Sequence, residues 1–115
     1  MGEQLMVQQS ELEPFARIDV HEAKRMFDEG DVQVVDTREP HEHDEGHVPG
    51  SLNIPHMSTL PRAAELATDC PILFICKSGQ RSAVAAEFAS SLGLSPLFNV
   101  EGGHDAWRDA GYPLS

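Results

Sequence analysis

Cys76 is followed without interruption by Lys77, Ser78, Gly79, Gln80, Arg81 and Ser82. That run supplies a nucleophile, two cations, two hydroxyls, a side-chain amide and a glycine, which together can cradle an anion on or beside sulfur. The thiolate is the reactive form, and a free thiol with a pKa near 8.5 is only a few per cent ionised at pH 7. Loop N–H groups, a following helix N-terminus, Lys77 and Arg81 would each favour the anion. Gly79 allows the loop to curl with its N–H groups inward, because it reaches positive φ without a Cβ penalty. Cys76 is therefore expected to be the catalytic nucleophile, with Lys77, Ser78, Gly79, Gln80, Arg81 and Ser82 as the substrate-binding loop. No histidine adjoins Cys76, so a Cys-His protease arrangement has no local support.

Such a loop needs a rigid mount on either side. The apolar run 71–75 reads as a strand apolar on both alternating faces, as a central parallel strand requires. A helix follows, and Val84, Phe88 and Leu92, spaced by four, predict its buried stripe, with Gly93 as its stop. Upstream, 16–18 predicts a short strand, and Asp19 with Glu22 has the spacing of a capping box for a helix ending at Gly30. Residues 32–36 read as a β-branched strand carrying Asp36, Thr37 and Arg38 at its carboxyl end. A short acidic helix or turn is expected over 39–45, then a turn and very short strand, then a helix over 60–67 capped by Ser58 or Thr59. A last strand at 97–100 leads through Glu101-Gly102-Gly103 into a helix bearing Trp107, expected as packing. This alternation predicts an α/β domain over 15–115, preceded by a tail or arm over 1–14. Its parallel sheet is expected to carry helices on both faces, and ligands in open sheets bind beyond the carboxyl ends of the strands. Cys76 and Asp36-Thr37-Arg38 both fall at that edge.

Composition narrows the partners. A formal net charge of -11 argues against nucleic acid, whose binding draws on lysine and arginine neutralising phosphates. The first residues have neither the basic start nor the apolar stretch of a signal or membrane span, so a cytoplasmic protein with no membrane partner is expected. A strand over 71–75 separates Cys70 from Cys76 by roughly 20 Å, outside disulfide reach. Cys70 is expected to be a small residue near a strand edge and not a resolving thiol.

Four segments, in order, carry a resemblance: Asp36-Thr37-Arg38; the stretch from Glu42 through Gly46-His47 to Asn53-Ile54-Pro55; Cys76 to Arg81; and Glu101-Gly102-Gly103 with Trp107. They resemble the signatures of the single-domain rhodaneses, a sulfurtransferase family, over roughly residues 16 to 114. The resemblance implies the rhodanese-like fold, a central parallel sheet of about five strands with helices on both faces. It also implies a double displacement through a persulfide on Cys76, with thiosulfate or a persulfide as donor. The acceptor would be cyanide in an assay, or a thiol or sulfur-accepting protein in the cell. Arg81 and Lys77 would hold the donor's sulfonate, Asp36 and Arg38 would support the loop, and no metal or organic cofactor is required. His43 departs from the family, which commonly has an aromatic residue there.

Two other readings compete. Cysteine-dependent phosphatases and arsenate reductases also set a cysteine in an anion cradle before arginine and serine, but with five intervening residues. This chain has four, Lys77 to Gln80, a tighter loop better sized for a sulfur atom than for a tetrahedral oxyanion. A non-enzymatic persulfide-binding or protein-interaction module is the other alternative, because one fold hosts many functions. His43 and His47 have a spacing that suits a metal, but Gly46 and Pro49 interrupt the helix that would align them.

Overall fold

The apolar run Ile72–Ile75 is buried throughout and is a central strand in a computed structural model that describes residues 7–9 and 13–115. The strands are β1 (Val7–Gln9), β2 (Ala16–Ile18), β3 (Gln33–Asp36), β4 (Leu52–Asn53), β5 (Ile72–Ile75) and β6 (Leu97–Val100). The helices are α1 (Val20–Glu29), α2 (Pro40–Asp44), α3 (Gln80–Ser91) and α4 (Gly103–Asp109). The sheet order is β1-β2-β6-β5-β3-β4, with β1 antiparallel to β2 and all other neighbours parallel. The carboxyl ends of β3 and β5 lie side by side, with Asp36 opposite Ile75. Among the described residues no helix is long and apolar enough to cross a membrane.

Side chains alternate across β5, so the strand serves two cores. Ile72 and Phe74 pack with Val35, Leu97 and the alanines of α3. Leu73 and Ile75 pack with Ile18, Val34, Val100 and Trp107 on the opposite face. Each such side chain, fully buried, stabilises the fold by about 1.5–3 kcal/mol, which makes β5 a stiff mount for the residue that follows it. Trp107 belongs to this core. Its ring meets Phe27 and Tyr112 edge-on at centroid distances of 5.6 and 5.3 Å, and its Nε1–H donates to the Pro113 carbonyl at 2.7 Å.

The helix over Val20–Glu29 begins as the sequence predicts. The Asp19 carboxylate accepts the Glu22 N–H at 2.9 Å, and Gly30 closes the helix with φ +85°. The return half of the capping box is absent, because the Glu22 carboxylate pairs with Arg25 instead.

Two expectations are corrected. The buried face of α3 is Ser82, Ala85, Ala86 and Ala89, whereas Val84 and Leu92 are exposed. Both stripes have helical spacing; the small one wins because it lets α3 sit close to the sheet and turns Ser82 toward Cys76. The stretch 60–67 is not an α-helix: it holds one 3-10 turn, Ala63–Glu65, and another, His56–Ser58, precedes it. There the Thr59 hydroxyl donates back to the His56 carbonyl at 2.7 Å rather than capping a following turn, and Pro61 has no N–H to extend one. Within the segment read from sequence as a tail or arm, Val7–Gln9 pairs with β2 as the edge strand β1; pairing through the backbone needs no apolar pattern to announce it. The other residues up to 12 in that tail lie outside the described residues.

Candidate active site

Cys76 sits immediately beyond β5 and is 1% exposed. The chain then turns through Lys77, Ser78 and Gly79 and enters α3 at Gln80. Gly79 has φ +115°, a conformation closed to other residues without strain, and this brings its N–H onto the Cys76 sulfur at 3.1 Å. The Ser82 hydroxyl, from the first turn of α3, donates to the same Sγ at 3.3 Å. Burial pushes the Cys76 thiol up. Hydrogen bonds from the Ser82 hydroxyl and from the N–H groups of Ser82, Gly79 and Ser78 outweigh it, and the thiol lies below its ordinary value. The anion is thus favoured chiefly by neutral donors converging on sulfur, an arrangement suited to a thiolate or to a persulfide built upon it.

The side chains of Lys77, Ser78 and Arg81 engage other partners. Lys77 is exposed and donates to Asp105 of α4 at 2.9 Å. The Ser78 hydroxyl donates to the Gln80 side-chain oxygen at 2.5 Å. Arg81 reaches α2, where its Nη1 and Nη2 engage the two oxygens of Glu42 at 2.7 and 3.0 Å. Glu42 also accepts the Glu39 N–H at 2.9 Å, and the Arg81 partnership above all holds its carboxyl down at about 2. Both loop cations are therefore ion-paired with carboxylates of other elements.

Asp36 and Arg38 form a buried support beside the loop. The guanidinium donates to both Asp36 oxygens, from Nε at 2.9 Å and Nη2 at 2.8 Å, and Nη2 also reaches the Gly46 carbonyl at 2.7 Å. Burial opposes the Asp36 charge, but the hydrogen bonds from Arg38 and His43 hold its carboxyl below the usual range. His43 meets Asp36 through Nδ1 at 2.8 Å and stacks on His47 at a centroid distance of 3.7 Å. It thus combines ring packing with a polar contact.

Four residues that sequence reasoning left without a site role hold the loop in place. His104 is buried, with Nδ1 3.0 Å from the Cys76 carbonyl and Nε2 3.3 Å from both the Val48 N–H and Arg38. Since Nε2 accepts from Val48, the proton belongs on Nδ1, which donates to Cys76. Burial holds this histidine neutral, with its pKa lowered to about 4. The first turn of α4 adds N–H donors, from His104 to the Cys76 carbonyl at 2.8 Å and from Asp105 to the Lys77 carbonyl at 3.0 Å. That approach requires Gly103, where a Cβ would stand 2.4 Å from the Cys76 carbonyl oxygen. Asn99 of β6 completes the mount by donating to the Gly79 carbonyl at 3.1 Å. The Glu101-Gly102-Gly103 motif marks this place in the sequence; Asn99 and His104 carry no local signal of their own.

The fold is shared with known proteins. The model of the rhodanese-like domain matches residues 19–110. The chain is 33% identical over 99 residues to the thiosulfate sulfurtransferase GlpE of Pseudomonas paraeruginosa, covering 86% of this chain and 88% of that protein. A crystal structure of a rhodanese-related protein from Thermoplasma volcanium superposes with a TM-score of 0.78 at 35% identity, covering 86% of this chain and 96% of that one. A protein of unknown function from Rhodopseudomonas palustris, described as a possible tyrosine phosphatase, superposes with a TM-score of 0.69 at 35% identity over 81% of this chain and 77% of that one. On the family match, the two close likenesses to rhodanese-type proteins and the order of its four motifs, the chain belongs to the rhodanese-like family.

Proposed function

We propose that the domain, residues 15–115, is a sulfurtransferase in which Cys76 carries a persulfide from donor to acceptor. The observation that carries this reading is the cradle itself, with Gly79 N–H and the Ser82 hydroxyl aimed at one sulfur atom and no guanidinium among the donors. In the first half-reaction the Cys76 thiolate attacks the outer sulfur of thiosulfate. The donor's S–S bond breaks, sulfite leaves with its electron pair, and Cys76–S–S⁻ remains. A nucleophilic acceptor, cyanide in an assay or a thiol or protein in the cell, then takes the outer sulfur and returns the thiolate. The donors that favour the thiolate can favour the persulfide anion in the same way, so the resting and loaded states are both stabilised. The chemistry asks for neither metal nor organic cofactor.

Phosphoryl transfer fits this site less well. A phosphate held around a cysteine sulfur needs its oxygens gathered by loop N–H groups and by the loop arginine, as charge-assisted bidentate pairs. Here Arg81 spends Nη1 and Nη2 on Glu42. Assaying the protein with thiosulfate plus cyanide and, separately, with an aryl phosphate distinguishes the readings. Thiocyanate formation that requires Cys76 is the expected result; Cys76-dependent phosphate release without thiocyanate formation overturns it.

A further inference from the structure

The pairing of both loop cations with carboxylates bears on which donors the site accepts. Lys77 engages Asp105, which Arg108 also meets at 3.5 Å, and Arg81 engages Glu42. The cations at the rim of the cradle are thus already engaged by carboxylates, in a chain whose formal net charge is -11. The two pairs differ in firmness. Lys77 is 63% exposed at its side chain and holds Asp105 through one contact, so it can swing to another anion at little cost. Arg81 and Glu42 are 29% and 20% exposed, meet in a bidentate fork, and Glu42 is further fixed by the Glu39 N–H. Arg81 directly precedes Ser82, whose hydroxyl reaches the Cys76 sulfur at 3.3 Å, which places this pair at the rim of the cradle.

We propose that Glu42 is a specificity-determining residue that, by occupying Arg81, disfavours dianionic donors such as thiosulfate and directs the site toward persulfides of small organic thiols. This rests on the sulfurtransferase reading above. A thiosulfate ion brings two negative charges to a rim whose cations are already engaged, and it must share Arg81 with Glu42 or displace it. A persulfide R–S–SH asks only for the cradle. The Cys76 thiolate attacks its outer sulfur, the donor's S–S bond breaks, R–S⁻ leaves with the electron pair, and Cys76–S–SH is formed. No oxidant or reductant enters, and the leaving thiolate needs no guanidinium clamp.

The test compares kcat/KM for thiosulfate with that for hydroxyethyl persulfide, whose organic part is uncharged, using cyanide as acceptor. Glu42→Gln keeps an oxygen for the Glu39 N–H and for one Arg81 N–H, so α2 retains its cap while the negative charge is lost. The expected result is that the thiosulfate-to-persulfide ratio rises about tenfold, equivalent to about 1.4 kcal/mol. Glu45→Gln removes the same charge from an exposed neighbour at the end of α2 that has no pairing with Arg81, and is expected to leave the ratio within twofold. An unchanged ratio in Glu42→Gln, or an equal rise in both variants, overturns the role of Glu42. If neither donor loads Cys76 in the unaltered protein, the sulfurtransferase reading itself falls, and this inference with it.

Discussion

Replacing Gly103 with alanine is expected to disable sulfur transfer while leaving the fold intact. The new Cβ would lie 2.4 Å from the Cys76 carbonyl oxygen and 2.6 Å from the carbonyl carbon and oxygen of Lys77, all of them backbone atoms. Real contacts of this kind do not fall below 3.0 Å, so the Cys76 carbonyl must retreat by at least 3.0 − 2.4 = 0.6 Å. That carbonyl belongs to Cys76 and also receives the two His104 hydrogen bonds, so the displacement passes directly to Sγ and its donors. Misplacement of about 1 Å costs roughly 10²-fold in rate, which puts the expected loss in kcat/KM at about 10- to 100-fold. Overpacking costs about 1–3 kcal/mol and alanine at positive φ about 1 kcal/mol more. Gly30→Ala is the control, since Gly30 has φ +85° but open space around its Cβ position. It should lose about 1 kcal/mol of stability and keep full transfer. Thiocyanate formation and thermal unfolding of both variants check this. Transfer by Gly103→Ala within twofold of the unaltered protein refutes the view that the α4 entry positions Cys76.

Removing a cradle donor should raise the thiol pKa. Ser82→Ala is expected to move the iodoacetamide alkylation profile of Cys76 to higher pH and to slow persulfide formation about tenfold at neutral pH; an unmoved profile contradicts it. His104 makes stability depend on pH. Its pKa is about 4 folded against 6.5 unfolded, so below pH 6.5 the unfolded state takes up a proton that the folded state refuses. Stability is therefore complete above pH 6.5 and falls as pH drops toward 4, by a total of about 3 kcal/mol. Denaturant midpoints across that range measure it, and His104→Gln should flatten the slope. Glu42 acts in a lower window, since its carboxyl is depressed from 4.5 to about 2 by Arg81. Its stabilising contribution is present above about pH 4.5 and lost as pH falls toward 2, so Glu42→Gln should blunt acid unfolding there.

The parts of this protein legible in the sequence are those where one residue type has one physical use. The Ile72–Ile75 run can only be a strand covered on both faces; Gly79 announces the curl of the loop, and Asp19 the start of α1. The buried face of α3 was ambiguous because two stripes share helical spacing. Apolar weight selects Val84 and Leu92, whereas close packing selects Ser82 and the alanines. Partners distant in the chain had no signal. Glu42 and Arg81 are 39 residues apart, and the acidic run around Glu42 reads as a solvated face until α2 is docked beside the loop. His104 likewise reads as one more histidine until the fold buries it between Cys76 and Val48.

The most direct measurement is intact-protein mass spectrometry after incubation with a sulfane donor, comparing the chain with its Cys76→Ser variant. The expected result is a gain of one sulfur atom that the variant lacks and that cyanide removes. No gain with either thiosulfate or an organic persulfide, or an equal gain in the variant, contradicts a persulfide on Cys76.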